Sequence, residues 1–214
     1  MNRRHFSFTS CSILGATLWP LAPAWSQGAT PVEGKDFTRI EPPQPVREPG
    51  KIEVLEFFSY ACPHCSTFEP ALDNWARQLP GDVVVRRVPV PFLMNAENFQ
   101  RTYYALESLG LVPALQQKIF RAIHIDRQRL EKPEDIAAFV GKNGGDEAKF
   151  LAAFKSFSVA TAVSRAKKAI ADYKVESVPL LVINGRYVTS PSMAGGAPQS
   201  LAVADQLIQR SRAK

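Results

Sequence analysis

The sequence predicts an α/β fold with a mixed central sheet, split by an inserted block of helices. Three observations carry this. First, an apolar run, Ile52 to Phe58, leads through Cys62-Pro63-His64-Cys65 into an amphipathic segment, Ser66 to Leu79, and then into a second apolar run, Val83 to Val90. Strand, helix and strand in that order make a βαβ unit with a parallel pair. Second, the apolar spacing from Asn95 to Tyr173 is helical throughout. Third, Leu180 to Ile183 and Arg186 to Thr189 are joined by Asn184-Gly185, a hairpin turn, and lead to a last amphipathic helix, Leu201 to Ile208. A parallel half and an antiparallel half thus flank the helices. The division expected is a signal at 1–26, a first sheet part at 27–94, the helical insertion at 95–164 and a second sheet part at 165–214.

Residues 1–26 have the build of a removable export signal. Arg3 and Arg4 give a basic start, and a mostly apolar stretch runs from Ile13 to Trp25. Ala22-Pro23-Ala24 and Ala24-Trp25-Ser26 are small-x-small cleavage patterns. Pro20 and Pro23 break the stretch, which is too short for a span of about 20 residues. Asn2-Arg3-Arg4-His5-Phe6 is similar to a twin-arginine signal, although a general secretory signal also starts with basic residues. No later stretch is long and apolar enough to cross a membrane. Cys11 leaves with the signal, so the mature chain keeps two cysteines, Cys62 and Cys65. An exported chain enters an oxidising compartment, where disulfides persist.

The mature chain has fewer than 190 residues and 45% apolar content, enough for one domain or one with a large insertion. The formal charge of +6 falls to +4 without Arg3 and Arg4. The basic residues are scattered, with pairs such as Arg86-Arg87 and Lys167-Lys168 rather than a patch. This is a solvated surface and argues against nucleic-acid binding.

Phe37 to Ile40 is a short edge strand, followed by an extended connector rich in proline (Pro42, Pro43, Pro45, Pro49). Ile52 to Phe58 is apolar at both parities apart from Glu53 and Glu56, as in a strand buried on both faces. Glu56 shares a face with Ile52, Val54 and Phe58, which places a carboxyl in the core beneath the cysteine helix. It is a candidate proton acceptor for a buried Cys65 thiol; the alternative is a strand-end glutamate that reaches water. Phe68, Leu72, Trp75 and Leu79 form the core face of the first helix, with Pro70 expected to kink it. Pro89 and Pro91 stop the next strand or place that end at a sheet edge.

Five apolar stripes follow: Phe99 to Leu109, Leu115 to Ile123, Ile136 to Val140, Phe150 to Phe154, and Val159 to Tyr173. Breaks at Gly110, Pro113, Pro133 and Gly144-Gly145 separate most of them. Their aromatics are helix-bundle core rather than a cofactor pocket. His124 has no metal-type companion in sequence and is expected to be structural or exposed. Pro191 to Pro198 is expected to be a loop.

The chemistry lies in Cys62-Pro63-His64-Cys65. A helix N-terminus carries unpaired N–H groups and a partial positive charge, so a thiol there ionises readily, and the thiolate is the nucleophile. Cys62 lies at or before the first turn. Cys65 is one turn in, close enough to close a disulfide with it. Zinc needs four ligands and this pair supplies two. Haem attachment needs His after the second cysteine, where Ser66 stands. An inert disulfide closing so short a loop constrains the unfolded chain little. A dithiol/disulfide switch is the remaining reading.

With these elements in place, the chain resembles the DsbA family of periplasmic thiol:disulfide oxidases, which have a thioredoxin fold with an inserted α-helical domain. The resemblance rests on Leu55-Glu56-Phe57-Phe58-Ser59-Tyr60-Ala61-Cys62-Pro63-His64-Cys65, on Val178-Pro179 and on Val182-Ile183-Asn184-Gly185-Arg186-Tyr187. It implies that Cys62 is the attacking cysteine and Cys65 its buried partner, with Pro63 and His64 tuning the Cys62 thiolate; His64 as a general base is the competing role. It implies a cis Pro179 facing the disulfide, with the Val178 backbone pairing with an extended substrate peptide. Glu56 matches the family's buried acid. Arg87 stands where the family often has lysine, and is expected to hold Glu56 more firmly ionised, because arginine does not deprotonate.

The resemblance further implies a monomer without a cofactor beyond the Cys62–Cys65 disulfide. Its partners would be newly exported cysteine-containing proteins and a membrane quinone-linked reoxidant of the DsbB type. An exported reductase or isomerase on the same fold is the alternative. Isomerases commonly add a dimerisation region that residues 27–50 are too short to supply, and reductases more often carry another dipeptide between the cysteines. A chaperone or binding module built on the helical insertion is a third class.

Overall fold

The structure is a computed structural model and describes residues 30–213. The expected export signal and Cys11 lie outside the described residues. In chain order the elements are β1 (Thr38–Arg39), β2 (Ile52–Phe58), α1 (Pro63–Ala76), β3 (Val83–Pro89), α2 (Ala96–Ser108), α3 (Val112–His124), α4 (Pro133–Lys142), α5 (Glu147–Lys155), α6 (Phe157–Asp172), β4 (Leu180–Ile183), β5 (Tyr187–Thr189), α7 (Pro191–Ala194) and α8 (Ala197–Arg212). The five strands form one sheet in the order β1-β5-β4-β2-β3.

β2 is the centre of that sheet. It pairs parallel with β3 and antiparallel with β4, and all seven of its residues are buried. A strand covered on both faces needs apolar residues at both parities, which explains its composition. β1 and β3 are the edges, and the proline that ends β3 lies on a strand with one free side, where its missing N–H removes no ladder bond. β2 and β3 run in register from Ile52 opposite Val83, which sets Glu56 opposite Arg87.

Each face of the sheet has its own core. On one, Ile52, Val54, Leu181 and Ile183 pack with Phe68 and Leu72 of α1 and with Leu201, Ala204 and Leu207 of α8. On the other, Leu55, Phe57 and Val182 join the apolar stripes of α2 to α6. Fully buried side chains such as Phe57, Phe58 and Phe68 each contribute about 1.5–3 kcal/mol. Among the described residues no helix is long and apolar enough to cross a membrane.

The helical region has local causes. Pro133 opens α4, with Glu134 and Asp135 in its first turn and Lys142 in its last, matching the helix dipole at both ends. Asp146 caps α5, and the Ser156 hydroxyl accepts from Val159 N–H to cap α6. Ser156 ends α5 as well, a break with no glycine or proline to announce it. α6 continues through position 164/165, so the division placed there cuts a helix rather than a linker.

α1 starts at Pro63, with Cys62 just before the first turn as expected, because proline at the first helical position has its φ preset and no N–H to satisfy. The helix contains Pro70 and runs to Ala76. One further expectation is corrected. Pro191 to Pro198 is not a loop: Ser190 caps the short α7, Gly195 ends it at φ 85°, and Pro198 stands at the start of α8. In the β4–β5 turn, Asn184 and Gly185 both have positive φ, 51° and 63°. A side chain at 185 would run into the Gln44 carbonyl oxygen, so the glycine also admits the connector from β1.

Candidate active site

The loop Ser59-Tyr60-Ala61 carries the chain from β2 to α1 and is tied down locally. Cys62 N–H donates to the Ser59 carbonyl at 3.1 Å, and Ala61 N–H donates to Ser59 Oγ at 3.1 Å. Cys62 is the N-cap of α1, with extended backbone (φ −89°, ψ 116°). Its sulfur accepts the Cys65 N–H at 3.4 Å, in the place that a serine or aspartate oxygen usually fills. The nucleophile is thus held by the orphan donors of the helix end.

The two cysteines, both free thiols here, are driven apart in acidity. The Cys62 thiol is lowered from 9.0 to about 6, first by a hydrogen bond from the Cys65 thiol. The backbone N–H groups of Cys65 and His64 and the nearby His64 ring add to this, while burial opposes it. The Cys65 thiol is raised well above its ordinary value by its bond to Cys62, by burial, and by the charges of Cys62 and Glu56. Cys65 is fully buried, whereas Cys62 keeps a sliver of exposure. Attack from outside therefore falls on Cys62. Pro63 and His64 are exposed beside it.

The Val178–Pro179 peptide bond is cis, and Pro179 is buried. The Cys62 Sγ lies 3.6 Å from the Val178 carbonyl oxygen, to which its S–H can donate. The sequence-predicted residues Cys62, Pro63, His64, Cys65, Val178 and Pro179 therefore meet although 116 positions separate Cys62 from Val178. A groove of about 380 Å³ runs from His64, Thr67 and Phe68 past Val178 and Pro179 to Pro191. A second cis bond, Glu41–Pro42, lies in the β1–β2 connector.

Beneath the helix start lies a buried charge cluster. Arg87 Nε is 3.0 Å from Glu56 Oε2, and Arg87 Nη2 donates to Glu69 Oε1 at 2.8 Å. Glu56 is fully buried and Glu69 nearly so. The Glu56 contact is an ion pair whose N–H is not aimed at the oxygen, since among the described residues neither Glu56 oxygen accepts a hydrogen bond. Burial pushes the Glu56 carboxyl from 4.5 up to about 7, against the Arg87 charge that lowers it. Burial and the Glu56 charge push Glu69 up to about 8. The expectation that Arg87 keeps Glu56 firmly ionised is thus corrected. One guanidinium serves two carboxyls in a desolvated place, and the cluster retains a proton near neutral pH.

Two residues have partners near the site that the sequence did not indicate. Glu69 lies four positions after Cys65, hence on the same helix face, between the core residues Phe68 and Leu72. A charged residue on a core stripe was the available signal. His124, at the end of α3, donates from Nε2 to the Tyr60 carbonyl at 2.8 Å and stacks on Phe120, which ties the helical insertion to the loop before Cys62. Only its distance from the motif in sequence hid this. Buried Tyr60 donates its hydroxyl to Gln116 of the same helix.

Comparison with known proteins agrees with this geometry. Residues 53–207 match the model of the DSBA-like thioredoxin domain family. The chain is 42% identical over 186 residues to the thiol:disulfide interchange protein DsbA of Bordetella parapertussis, covering 86% of this chain and 88% of that one. It is 41% identical to the DsbA of Azotobacter vinelandii over 181 residues, 84% of each chain. Among solved structures it is similar to Pseudomonas aeruginosa DsbA, with a TM-score of 0.82, 38% identity and coverage of 85% and 95%. It is also similar to the oxidoreductase DsbA of Xylella fastidiosa, with a TM-score of 0.79, 30% identity and coverage of 86% and 100%.

Proposed function

The chain belongs to the DSBA-like thioredoxin domain family, and from that premise we propose that it donates the Cys62–Cys65 disulfide to newly exported proteins through a mixed disulfide on Cys62. It is a thiol:disulfide oxidoreductase. The observation that supports these roles is the cap geometry at Cys62: a sulfur at the helix end, bonded by the Cys65 N–H, with the Val178 carbonyl beside it.

In the oxidised protein a substrate thiolate attacks the Cys62 sulfur, and the Cys62–Cys65 bond breaks. Cys65 leaves as a thiolate and takes up a proton, because its buried site disfavours charge. Glu56, its carboxyl pushed up to about 7 by burial, belongs to a cluster that retains a proton near neutral pH and lies close enough for its charge to act on Cys65. A second substrate thiolate then attacks the substrate sulfur of the mixed disulfide. Cys62 departs readily as a thiolate because its pKa is low, and leaves the pair reduced. The Val178 backbone offers strand-like pairing, which reads the peptide main chain and so tolerates many sequences.

The reading needs no cofactor beyond the disulfide. It includes export to the periplasm through residues 1–26, action as a monomer, and reoxidation by a quinone-linked membrane partner of the DsbB type. Cys62→Ser should abolish oxidation of a reduced dithiol peptide. Cys65→Ser should accumulate mixed disulfides, seen on non-reducing gels; their absence in the presence of substrate thiols removes Cys62 as the attacked sulfur. Equilibration with glutathione separates donor from reductant. A potential near about −120 mV marks a disulfide donor, and one near about −270 mV a thioredoxin-like reductant.

A further inference from the structure

Tyr60, two positions before the attacked cysteine, is held at three points by one face of α3. Its hydroxyl donates to Gln116, its ring meets Phe120 edge-on with centroids 5.1 Å apart, and its carbonyl accepts from His124 Nε2 at 2.8 Å. Gln116, Phe120 and His124 recur every four residues, which lines them along the same side of the helix. Tyr60 is fully buried, and Gln116 and Phe120 are buried around it. The carbonyl is only an acceptor, so His124 Nε2 carries a proton whether the ring is neutral or charged. α3 is in turn fastened to the cysteine helix, because Gln117 Nε2 donates to Asp73 Oδ2 at 3.2 Å.

The grip falls on the soft point of the loop. Cys62 N–H donates to the Ser59 carbonyl, three residues back, so Ser59 to Cys62 form a β-turn with the Tyr60–Ala61 peptide at its centre. That central peptide is what rotates between turn types. Alanine at 61 resists turning it over, which needs positive φ there, but leaves it free to rock. Both ends of the peptide are tethered: its N–H to Ser59 Oγ at 3.1 Å, and its carbonyl to His124. We propose that His124 is a positioning residue for Cys62: by holding the Tyr60–Ala61 peptide it fixes the turn that delivers the cysteine sulfur to the N–H groups at the head of α1.

The delivery has little tolerance. The Cys65 N–H reaches the Cys62 sulfur at 3.4 Å, and a misplacement of about 1 Å is enough to lose such a contact. The same N–H, that of His64 and the Cys65 thiol are what make the Cys62 thiol acidic. The helical insertion thus acts on the chemistry through the turn, without touching either sulfur through His124. A bond that merely satisfied a part-buried carbonyl would cost stability when lost and leave the sulfur where it is. The two roles are separable by experiment. The catalytic consequence rests on the oxidase reading, but the acidity of Cys62 is measured without a substrate.

The test follows thiolate absorbance of the reduced full chain against pH, with urea midpoints beside it. His124→Phe keeps the stack on Phe120 and lacks the donor. His124→Gln keeps an amide N–H at the reach of Nε2. In the parent the Cys62 midpoint should lie at about 6. In His124→Phe it should rise by about one pH unit, and the glutathione equilibrium at pH 7 should move about fivefold toward the Cys62–Cys65 disulfide. His124→Gln should lie near the parent. A midpoint unmoved in His124→Phe while the urea midpoint falls overturns the proposal, since the bond then only satisfies a carbonyl. A rise in His124→Gln as large as in His124→Phe also overturns it, since the ring's shape and not its donor is then at work. If His124→Phe does not fold, Ser59→Ala decides: it frees the other end of the same peptide, so a raised Cys62 midpoint supports the turn as the positioning device and an unmoved one overturns it. Failure of the parent to oxidise a dithiol peptide, with these shifts present, identifies a failure of the oxidase reading alone.

Discussion

At Cys62 the sulfur takes its hydrogen bonds from the Cys65 thiol and from two backbone N–H groups, while the His64 ring contributes only its charge. Most of the acidity therefore comes from groups that a side-chain substitution at 64 leaves in place. Glu56 is different, because its effect depends on one carboxyl. Glu56→Gln should slow thiol exchange with a dithiol peptide by about tenfold or more, as expected when a positioned proton donor is lost. It should shift the glutathione equilibrium much less, since Glu56 is the last of the influences on Cys65 and none of those on Cys62. Stopped-flow rates beside equilibrium titration make the comparison. Equal rates for variant and parent reduce Glu56 to packing.

At the scale of elements, the parallel register of β2 and β3 decides which charges meet. It sets Arg87 opposite Glu56, and α1 lays Glu69 over the same guanidinium. Arg87→Ala removes the cation and leaves two buried carboxyls, each of which must then take a proton to remain buried. We expect a loss of about 3–5 kcal/mol in urea denaturation at pH 7, the usual cost of breaking a buried pair. The double variant Glu56→Gln, Glu69→Gln in the Arg87→Ala background should recover part of it, because neutral amides need no counterion.

This pairing also marks the limit of what the sequence discloses. The strand Ile52 to Phe58, the Asn184-Gly185 turn and the helix after the cysteines are each written in local periodicity and turn chemistry, and the structure has them. That Glu56 lies under the cysteine helix follows from strand parity. The failure over its ionisation came from burial, since elements far off in sequence close over Glu56 and remove it from water more completely than the Arg87 charge offsets. Sequence periodicity gives each residue's face, not the summed field of the faces that meet. The Ser156 break and the His124–Tyr60 bond were hidden for related reasons. A serine cap leaves a helical pattern intact, and a histidine 64 positions from its partner has no local signature.

Across the whole molecule these shifts couple redox state to stability with a definite sign. Cys62 has a folded pKa of about 6 against an ordinary 9.0. Its contribution is absent below about pH 6, grows as pH rises, and is complete near 9, because the unfolded chain binds the extra proton in that interval. Cys65 is shifted the other way and acts only above its ordinary 9.0. Glu56 and Glu69 are raised from 4.5 to about 7 and about 8, so the folded state binds the extra proton and stability is lost as pH climbs through that range. The carboxyls are present in both redox forms, whereas the Cys62 thiol exists only in the reduced one. Urea midpoints of the two forms should therefore fall together from pH 4.5 to about 6. Above that, the reduced form should gain on the oxidised form steadily up to pH 9. The widening gap is the thermodynamic drive to give the disulfide away, read as stability. A gap that stays constant from pH 6 to 9 shows that the Cys62 thiolate does not provide that drive.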